Sequence, residues 1–311
     1  MVNRTDSYLV DERKYIMKRK ARSRELDGDW IVEESSELLE FLYEKHPNRS
    51  RNAVKGVLSR GQVVVNGKVS TQFNDTLHPG DTVQIHARVA TETVKLSGIR
   101  ILFEDDDIIV IEKEAGLLTV ASKNERHVTA YRQLMDYVKT VHPNNRIFIV
   151  HRLDRDTSGV MIFAKSKDIQ QTLQDNWHDI VPERAYVALV EGRVKKDGTI
   201  TSWLKENRAF IVYSSDRPND GQKAVTHYKV LKTSRQNSLL EVHLETGRKN
   251  QIRVHMQDIG NPIVGDKKYG ARTRPIGRLG LHAHKISFTH PTTGEFLTFE
   301  SKVPASFLKG F

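Results

Sequence analysis

Residues 147–166, IFIVHRLDRDTSGVMIFAKS, place a run of charged and polar residues between two apolar segments. The flanking segments IFIV and GVMIFAKS are short and rich in β-branched residues, which is typical of buried strands. Polar residues between two buried strands lie at the rim of a sheet, where binding clefts form. The stretch therefore predicts a sheet whose edge carries HRLDRDTSG, residues 151–159.

The same pattern continues over residues 98–308. Further apolar segments that suit strands are IIVIEKE, RAYVALVEG, VTHYKVLKT and LLEVHLET. We place helices in three segments: residues 128–141, residues 168–178 and a segment that begins near Asn250. In the last segment Ile252, Met256 and Ile259 recur on one helical face. Because strands follow one another more often than they alternate with helices, we expect an α+β fold with a mixed, largely antiparallel sheet and flanking helices.

Composition narrows the function classes. The 311 residues carry a formal net charge of +10, which indicates either a nucleic-acid partner or simply a soluble basic protein. The chain has no cysteine, which excludes disulfides, thiol nucleophiles, thiolate zinc sites and cysteine-held iron–sulfur clusters. No apolar run approaches the roughly 18 residues of a membrane span, and the N-terminus lacks the apolar core of a secretory signal. We therefore expect no membrane association and a cytoplasmic location.

The length predicts two domains, and charge patterning suggests where they divide. Residues 13–24 carry seven basic residues and no acidic one, so we interpret the N-terminus as a basic arm that contacts RNA phosphates or is a solvated tail. We divide the chain into four parts: an arm at residues 1–31, a small module at 32–88, a polar linker at 89–97 and a large domain at 98–308.

The small module is predicted to contain helices followed by a hairpin. Leu38 and Leu42 recur at helical spacing, and Asn66-Gly67 within GQVVVNGKV is a strong hairpin signal. Residues 45–60 contain basic but no acidic side chains, so this surface presents cations to a phosphate backbone. A solvated basic helix without a ligand is the alternative. We assign RNA binding to five side chains: Arg49, Arg51, Lys55, Arg60 and Lys68.

These segments resemble the S-four-like RNA-binding domain, named for a ribosomal small-subunit protein. The resemblance rests on ELLEFL, SRNAVKGVLSRGQVVVNG and HPGDTV. It implies that the small module binds RNA and contributes no catalysis.

The segment HRLDRDTSG places one carboxylate between two arginines. Asp154 lies between Arg152 and Arg155, whose charges favour the ionised carboxylate. A carboxylate is a competent nucleophile toward a sugar anomeric carbon or an activated ring. Taken alone, an aspartate between arginines is more often a structural ion-pair partner than a nucleophile.

Two further segments supply groups that could act with Asp154. TGRKNQIRVH, residues 246–255, begins a helix after a glycine turn, and its arginines could bind phosphate or pair with Asp154. Tyr186, in the strand segment RAYVALVEG, suits either core packing or a stacking platform for a base.

Together these segments resemble the RluA-type pseudouridine synthases. HRLDRDTSG is the most specific motif, and AYVALVEG, TGRKNQIRVH, GDKKYG and LHAHKISFTHP occur in family order within residues 99–300. The resemblance implies that Asp154 is the catalytic aspartate. It would attack the target nucleotide, so that the glycosidic bond breaks and the detached uracil rotates and rejoins through its carbon 5. The resemblance implies neither a cofactor nor a metal.

The resemblance also assigns roles to three other residues. Tyr186 matches the tyrosine that packs on the base, Arg253 matches the arginine that pairs with the aspartate, and Arg152 matches a residue associated with flipping the uridine out of its stack. The chain departs from the family pattern in three places: residues 112–116 are EKEAG instead of Asn-Lys-Pro-Ala-Gly, Asn250 replaces a histidine, and Arg184 replaces a common lysine. None of these departures changes the residues assigned to chemistry, so we expect an active enzyme.

Other functions fit parts of the sequence. A non-catalytic RNA-binding factor of ribosome assembly would keep the basic module but has no need of the HRLD segment. A glycosidase needs two cooperating carboxyl groups, and Asp156 in an extended segment would face away from Asp154. A metal-dependent nuclease could use His282 and His284, but we find no carboxylate cluster that would complete the site.

The predicted function is thus an RNA pseudouridine synthase that works without a cofactor. The additional RNA-binding domain favours a structured target, for which we expect large-subunit ribosomal RNA ahead of transfer RNA. No heptad pattern or apolar stripe indicates a dimer, so we expect a monomer.

Overall fold

A computed structural model describes residues 28–311 except 48, 60, 86–95, 123–124, 126–127, 143, 219–220 and 310. Contacts divide the chain into two compact units, residues 1–93 with 140–143 and residues 94–139 with 144–311. Most of the predicted arm and linker, together with Arg60, lies outside the described residues. Within the described part, no helix is both long and apolar enough to cross a membrane.

The first unit contains two helices and short antiparallel strands. Its described elements are β1 (Gly28–Ile31), β2 (Ser36–Glu37), α1 (Leu38–Lys45), α2 (Arg51–Ser59), β3 (Val63–Val65), β4 (Lys68–Ser70), β5 (Thr76–Leu77) and β6 (Thr82–Ile85). The strands form a sheet in the order β1-β6-β3-β4 and a separate pair, β2-β5. The predicted hairpin joins β3 to β4, and both turn residues, Asn66 and Gly67, have positive φ angles of 50° and 75°.

The sequence assigns residues 28–31 to the arm, but in the structure they form strand β1. They pair antiparallel with β6, from Gly28 opposite Ile85 to Ile31 opposite Thr82. The half-buried Trp30 packs against the core of the first unit, and this apolar contact outweighs the polar character of the preceding sequence. The small module therefore begins before residue 32.

The second unit is built on one large sheet. Its strands are β7 (Ile99–Glu104), β8 (Ile108–Lys113), β9 (Phe148–Ile149), β10 (Ser158–Ala164), β11 (Glu183–Glu191), β12 (Gly198–Glu206), β13 (Val212–Ser215), β14 (Gln222–Thr233), β15 (Asn237–Leu244), β16 (Leu281–Thr289) and β17 (Phe296–Glu300). The order is β13-β12-β14-β15-β11-β16-β10-β8-β7, with β17 on β16 and β9 on β10. Among these described strands only β10 and β16 pair in parallel. The predicted α+β fold with a largely antiparallel sheet is confirmed.

Short helices flank this sheet. They are α3 (Ala130–Val141), α4 (Lys167–Asp175), α5 (Trp177–Ile180), α6 (Gln251–Asp258), a 3-10 helix (Lys267–Tyr269) and α7 (Ala305–Leu308). The predicted helix over 168–178 is interrupted at Asn176. The side-chain amide of Asn176 donates to the carbonyl oxygen of Thr172 at 3.0 Å and caps the end of α4.

The strand predicted to lead into HRLDRDTSG is shorter than expected. Only Phe148 and Ile149 pair with β10. The carbonyl oxygen of Ile149 instead accepts from the side chains of Gln170 and Gln174 at 2.8 and 3.0 Å, and that of Val150 accepts from Gln174 at 3.0 Å. Side chains of α4 thus replace a neighbouring strand at the point where the polar segment begins.

Helices cover both faces of the sheet. Ile109 and Phe163 share a buried cluster with Leu134 of α3 on one face. Val110 shares another with Leu173 of α4 on the opposite face. Because successive strand residues point to opposite faces, this alternation sandwiches β8 and β10 between the two helices.

The predicted apolar face of α6 is also confirmed. Ile252 and Met256 share a buried cluster with Val190, and Ile259 packs against it. Tyr186 of β11 packs against both this cluster and the cluster around α3. Helices α3 and α6 therefore lie on the same face of the sheet, with Tyr186 between them.

The parallel pairing of β10 with β16 requires a glycine at position 159. Gly159 pairs with Ala283 and has a φ of 119°. A Cβ atom at this position would lie 2.1 Å from the carbonyl oxygen of Ala283. The two strands approach this closely immediately after the HRLDRDT segment, so the glycine fixes where that segment leaves the sheet.

We expect Gly159→Ala to lower the free energy of unfolding by at least about 2 kcal/mol, because it adds a steric clash to an unfavourable φ. Gly294→Ala is the matched control, since Gly294 has a φ of 70° and no neighbour near a built Cβ. It should cost only about 1 kcal/mol. Equal losses in urea unfolding of the two variants would show that the close approach to β16 contributes nothing.

Candidate active site

Two main-chain contacts hold the segment that carries Asp154. The hydroxyl of Thr119 donates to the carbonyl oxygen of Leu153 at 2.8 Å and accepts from its amide at 3.3 Å. The amide of Thr157 donates to the carbonyl oxygen of Asp154 at 3.2 Å, which closes a turn before β10. Asp154 is therefore fixed by backbone on both sides, while its side chain remains 39% exposed.

Arg253, in the first turns of α6, joins Asp154 to a second and buried carboxylate. Its Nη1 donates to Oδ2 of Asp154 at 2.9 Å. Its Nε and Nη2 donate to Asp266 at 2.7 and 2.8 Å, a bidentate contact with a side chain that is 1% exposed. The guanidinium is thus locked by Asp266 and presents its remaining edge to Asp154.

Tyr269 and Asn250 complete the surroundings of this guanidinium. The guanidinium carbon of Arg253 lies 4.9 Å from the centre of the Tyr269 ring. Asn250 accepts from Nη1 of Arg253 at 3.2 Å and donates to the Tyr269 hydroxyl at 2.9 Å. Asn250 has a φ of 54°, a conformation that asparagine tolerates well. The residue that replaces the family's histidine therefore takes part in the network.

The charge of Arg253 is secured by its neighbours. Burial alone would lower the pKa of its guanidinium, but hydrogen bonds and charges from Asp266 and Asp154 outweigh burial and raise it. Arg253 therefore remains a cation at any pH at which the protein is folded, and one cation faces two carboxylates.

The altered loop at residues 112–116 is attached to the catalytic segment. The amide of Gly116 donates to the carbonyl oxygen of Arg155 at 2.9 Å, and Nε of Arg155 donates to the carbonyl oxygen of Gly116 at 3.2 Å. Lys113, fully buried, donates to the carbonyl oxygens of Glu114, Leu117 and Arg155 at 2.9, 2.8 and 3.1 Å. The loop thus has a firm attachment without the proline of the family pattern.

Tyr186 lies near Asp154 with its hydroxyl protonated. Burial raises the pKa of the Tyr186 hydroxyl; the cation of Arg184 opposes this effect, and the charge of Asp154 adds to it. The ring is half-buried between the two clusters that flank it. Its position on the face shared by α3 and α6 is compatible with packing on a base.

Arg152 occupies a different environment from the other predicted residues. Its side chain is exposed. The structure therefore brings Asp154, Arg253 and Tyr186 into one site, whereas Arg152 lies at the exposed start of the same segment.

Asp105, Asp107 and His290 form a cluster whose ligand atoms lie within 4.8 Å of one another. Nδ1 of His290 accepts from the amides of Thr292 and Thr293 at 3.2 and 3.1 Å. Nε2 must then carry the proton, and it lies 3.0 Å from Oδ2 of Asp105. With Nδ1 already used as an acceptor and Nε2 protonated, this ring has no free nitrogen lone pair for a metal ion.

His282 and His284 are also structural. Nδ1 of His282 is 2.8 Å from the hydroxyl of Ser158, and Nδ1 of His284 is 2.6 Å from the carbonyl oxygen of Ser301. Burial lowers the pKa of His282 to about 4. Each ring is used to join neighbouring segments of the sheet, which disfavours the nuclease alternative.

Comparisons with known proteins address the same segments. A family model described as RNA pseudouridylate synthase matches residues 107–258, and a model described as S4 domain matches residues 38–83. An uncharacterized RNA pseudouridine synthase of Bacillus subtilis is 35% identical over 287 residues, which cover 88% of this chain and 92% of the relative. The chain belongs to the RNA pseudouridine synthase family.

Further relatives of this synthase agree. A protein of Neisseria meningitidis named ribosomal large subunit pseudouridine synthase D is 33% identical over 83% of this chain and 73% of its own length. The solved structure of human RNA pseudouridylate synthase domain containing 4 has a TM-score of 0.55 and 26% identity, covering 67% of this chain and 90% of that one. The enzyme class predicted from the sequence is confirmed, and the roles assigned to single residues stay predictions.

The small module of this synthase keeps its basic side chains accessible. Arg51 and Lys55 are exposed on one face of α2, as their spacing predicts, and the guanidinium of Arg51 lies 5.4 Å from the ring centre of Tyr43. Lys68 is exposed in β4, and Arg49 is half-buried. Four of the five side chains to which the sequence assigns RNA binding thus lie on the described surface of the first unit.

Sequence reasoning missed the residues that support the site from within. Asp266 and Tyr269 belong to GDKKYG, a motif that carried the resemblance but received no role, and Lys113 was noted only as part of an altered loop. The single acid in the basic run 265–278 was a usable signal, because a buried acid needs a cation.

The buried ammonium of Lys113 predicts a specific pH dependence. Burial lowers the pKa of Lys113 from 10.5 to about 8. At pH values between about 8 and 10.5, Lys113 carries its proton in a larger fraction of unfolded chains than of folded proteins. The free energy of unfolding therefore rises with pH over this range, and this gain is lost when the pH falls back to about 8. We expect the unfolding free energy of wild type minus that of Lys113→Met to increase by about 3 kcal/mol from pH ~8 to pH ~10.5. A difference in urea unfolding that stays constant across this range would contradict the burial of a charged ammonium at Lys113.

Proposed function

We propose that this synthase converts specific uridines of large-subunit ribosomal RNA to pseudouridine, with Asp154 as the nucleophile. The observation that carries the proposal is the contact between Arg253 and Asp154, in which a buried acid fixes the arginine and the arginine orients an accessible carboxylate. The choice of RNA is supported by relatives named ribosomal large subunit pseudouridine synthase D and by the RNA-binding domain.

In the reaction Asp154 attacks the target nucleotide, and the bond between the ribose and N1 of uracil breaks. The freed base rotates, its carbon 5 bonds to the ribose carbon, and Asp154 is released. Carbon 5 loses one proton and N1 gains one, so that the product is an isomer of the substrate and no external reactant is consumed. The reaction therefore requires a carboxylate nucleophile, the removal of one proton from carbon 5 and the delivery of one proton to N1.

The neighbouring residues suit these steps. The guanidinium of Arg253 holds the carboxylate in one orientation before attack, which removes the entropic cost of ordering it during the reaction. The neutral Tyr186 packs on the base, and we assign to its hydroxyl the transfer of a proton near the carboxylate. The exposed Arg152 fills the space that the uridine leaves when it is extruded from its stack, which lowers a cost of a few kcal/mol.

The decisive experiment maps pseudouridine in total RNA from cells without the gene, rescued with wild type, Asp154→Asn or Asp156→Asn. Asp156 is the matched control because it is an exposed carboxylate two residues from the proposed nucleophile. We expect one or a few large-subunit sites to disappear in the deletion and to return with wild type and Asp156→Asn only.

Two results would contradict the proposal in different ways. Rescue by Asp154→Asn would exclude this carboxylate as the nucleophile. Loss of sites in transfer RNA, with ribosomal RNA unchanged, would keep the reaction and replace the substrate.

A further inference from the structure

The loop between β12 and β13 is a compact structure with an aromatic side chain at its tip. Oδ1 of Asn207 accepts from the amides of Ala209 and Ile211 at 2.9 and 3.0 Å, and the amide of Asn207 donates to the carbonyl oxygen of Ile211 at 2.9 Å. The amide of Phe210 donates to the carbonyl oxygen of Asn207 at 2.9 Å. These contacts hold residues 207–211 in one conformation.

Phe210 occupies this loop at a cost to folding. Its φ is 59°, in the left-handed region that favours glycine, and its side chain is 69% exposed. An exposed aromatic ring contributes little to the core, and a positive φ for a bulky residue costs about 1 kcal/mol or more. A residue that is both strained and exposed points to a ligand rather than to stability.

The loop is attached to the same residues that support the active site. Nζ of Lys268 donates to the carbonyl oxygen of Phe210 at 2.9 Å. The amide of Val212 donates to the Tyr269 hydroxyl at 3.3 Å, and the ring of Tyr269 packs against Arg253. A short series of direct contacts therefore connects the loop to the arginine that holds Asp154.

Cations lie beside the exposed ring. Nζ of Lys249 lies 6.0 Å from the ring centre of Phe210 and pairs with Glu206. Arg208, two residues before Phe210, and Lys268, which donates to the carbonyl oxygen of Phe210, are also exposed. A shallow depression adjoins the loop and is lined by Lys205, Glu206, Val212, Gln222, Arg248 and Lys249. An aromatic face beside cations is the arrangement that binds single-stranded nucleic acid, with a base on the ring and phosphates on the cations.

We propose that the loop at residues 207–211 is a nucleotide-binding subsite, in which Phe210 stacks on an unpaired base of the substrate RNA while Arg248 and Lys249 bind the adjoining phosphate. The subsite rests on the proposed function, since it engages RNA whose target uridine is at Asp154. Stacking is tolerant of sequence, so the subsite contributes affinity and position rather than base identity.

The test uses the full chain and an in vitro transcript of large-subunit ribosomal RNA. We expect Phe210→Ala to weaken binding of the transcript about 5- to 100-fold, the range for loss of one base–aromatic stack. Phe210→Trp should retain wild-type affinity. Because the ring is uncharged, the slope of log Kd against log salt should be the same in Phe210→Ala as in wild type. Phe296→Ala, an exposed phenylalanine in β17 at 58% exposure, is the matched control and should bind like wild type.

A second variant separates RNA binding from folding. Phe210→Gly removes both the ring and the unfavourable φ, so we expect its Tm to equal or exceed that of wild type while its affinity falls as in Phe210→Ala. Ultraviolet cross-linking of wild type to the transcript should place a nucleotide adduct on Phe210. Wild-type affinity in Phe210→Ala, or a lower Tm in Phe210→Gly, would overturn the subsite.

Asp154→Asn in the same assays distinguishes this proposal from the proposed function. We expect it to bind the transcript normally and to form no pseudouridine. If Asp154→Asn forms pseudouridine, the assignment of the nucleophile fails, and the subsite is still judged by the affinity of Phe210→Ala.

Discussion

The ion-pair network in which Arg253 bridges Asp266 and Asp154 is the interaction on which the site depends. A carboxylate that is 1% exposed is stable only with a charged partner, and both Nε and Nη2 of Arg253 meet Asp266. This bidentate contact fixes the orientation of the arginine. Its Nη1 is then left to orient Asp154, which stays accessible because its own segment lies at the rim of the sheet. The fold thus places the bidentate ion pair in the interior and the accessible carboxylate of Asp154 at the surface.

The large sheet brings these residues together from distant parts of the sequence. Asp154 and Arg253 are 99 residues apart, and they meet because β10 pairs with β16 while α6 packs on the face that carries Tyr186. The glycine at position 159 permits that pairing, and the attachment of the 112–116 loop to Arg155 fixes the other side of the segment. Tyr269 extends these contacts to the β12–β13 hairpin, because its ring packs against Arg253 and its hydroxyl accepts a hydrogen bond from the amide of Val212. One set of buried contacts therefore positions both the proposed nucleophile and the proposed subsite.

Sequence reasoning predicted the parts of this arrangement that depend on local pattern. Apolar runs located β8, β10, β11 and β15, and the Asn66-Gly67 turn located the hairpin, because these signals act over a few residues. It missed β12, in which only Ser202 and Leu204 are buried, and it placed β1 in the arm because charge dominates the neighbouring sequence. Sequence reasoning missed Asp266 and Lys113 for another reason. A buried charged residue is recognised by its partners, and only the tertiary structure brings those partners near it.

We expect buried Asp266, by holding Arg253, to determine the reactivity of Asp154. The most direct measurement is the single-turnover rate of pseudouridine formation by Asp266→Asn, taken well below its Tm with RNA affinity measured in parallel. Loss of one partner from a buried pair should lower the Tm, and the rate should fall at least about tenfold while the Kd for RNA stays within about twofold of wild type. A folded Asp266→Asn variant that reacts at the wild-type rate would contradict the account, because Asp154 would then need no arginine held from within.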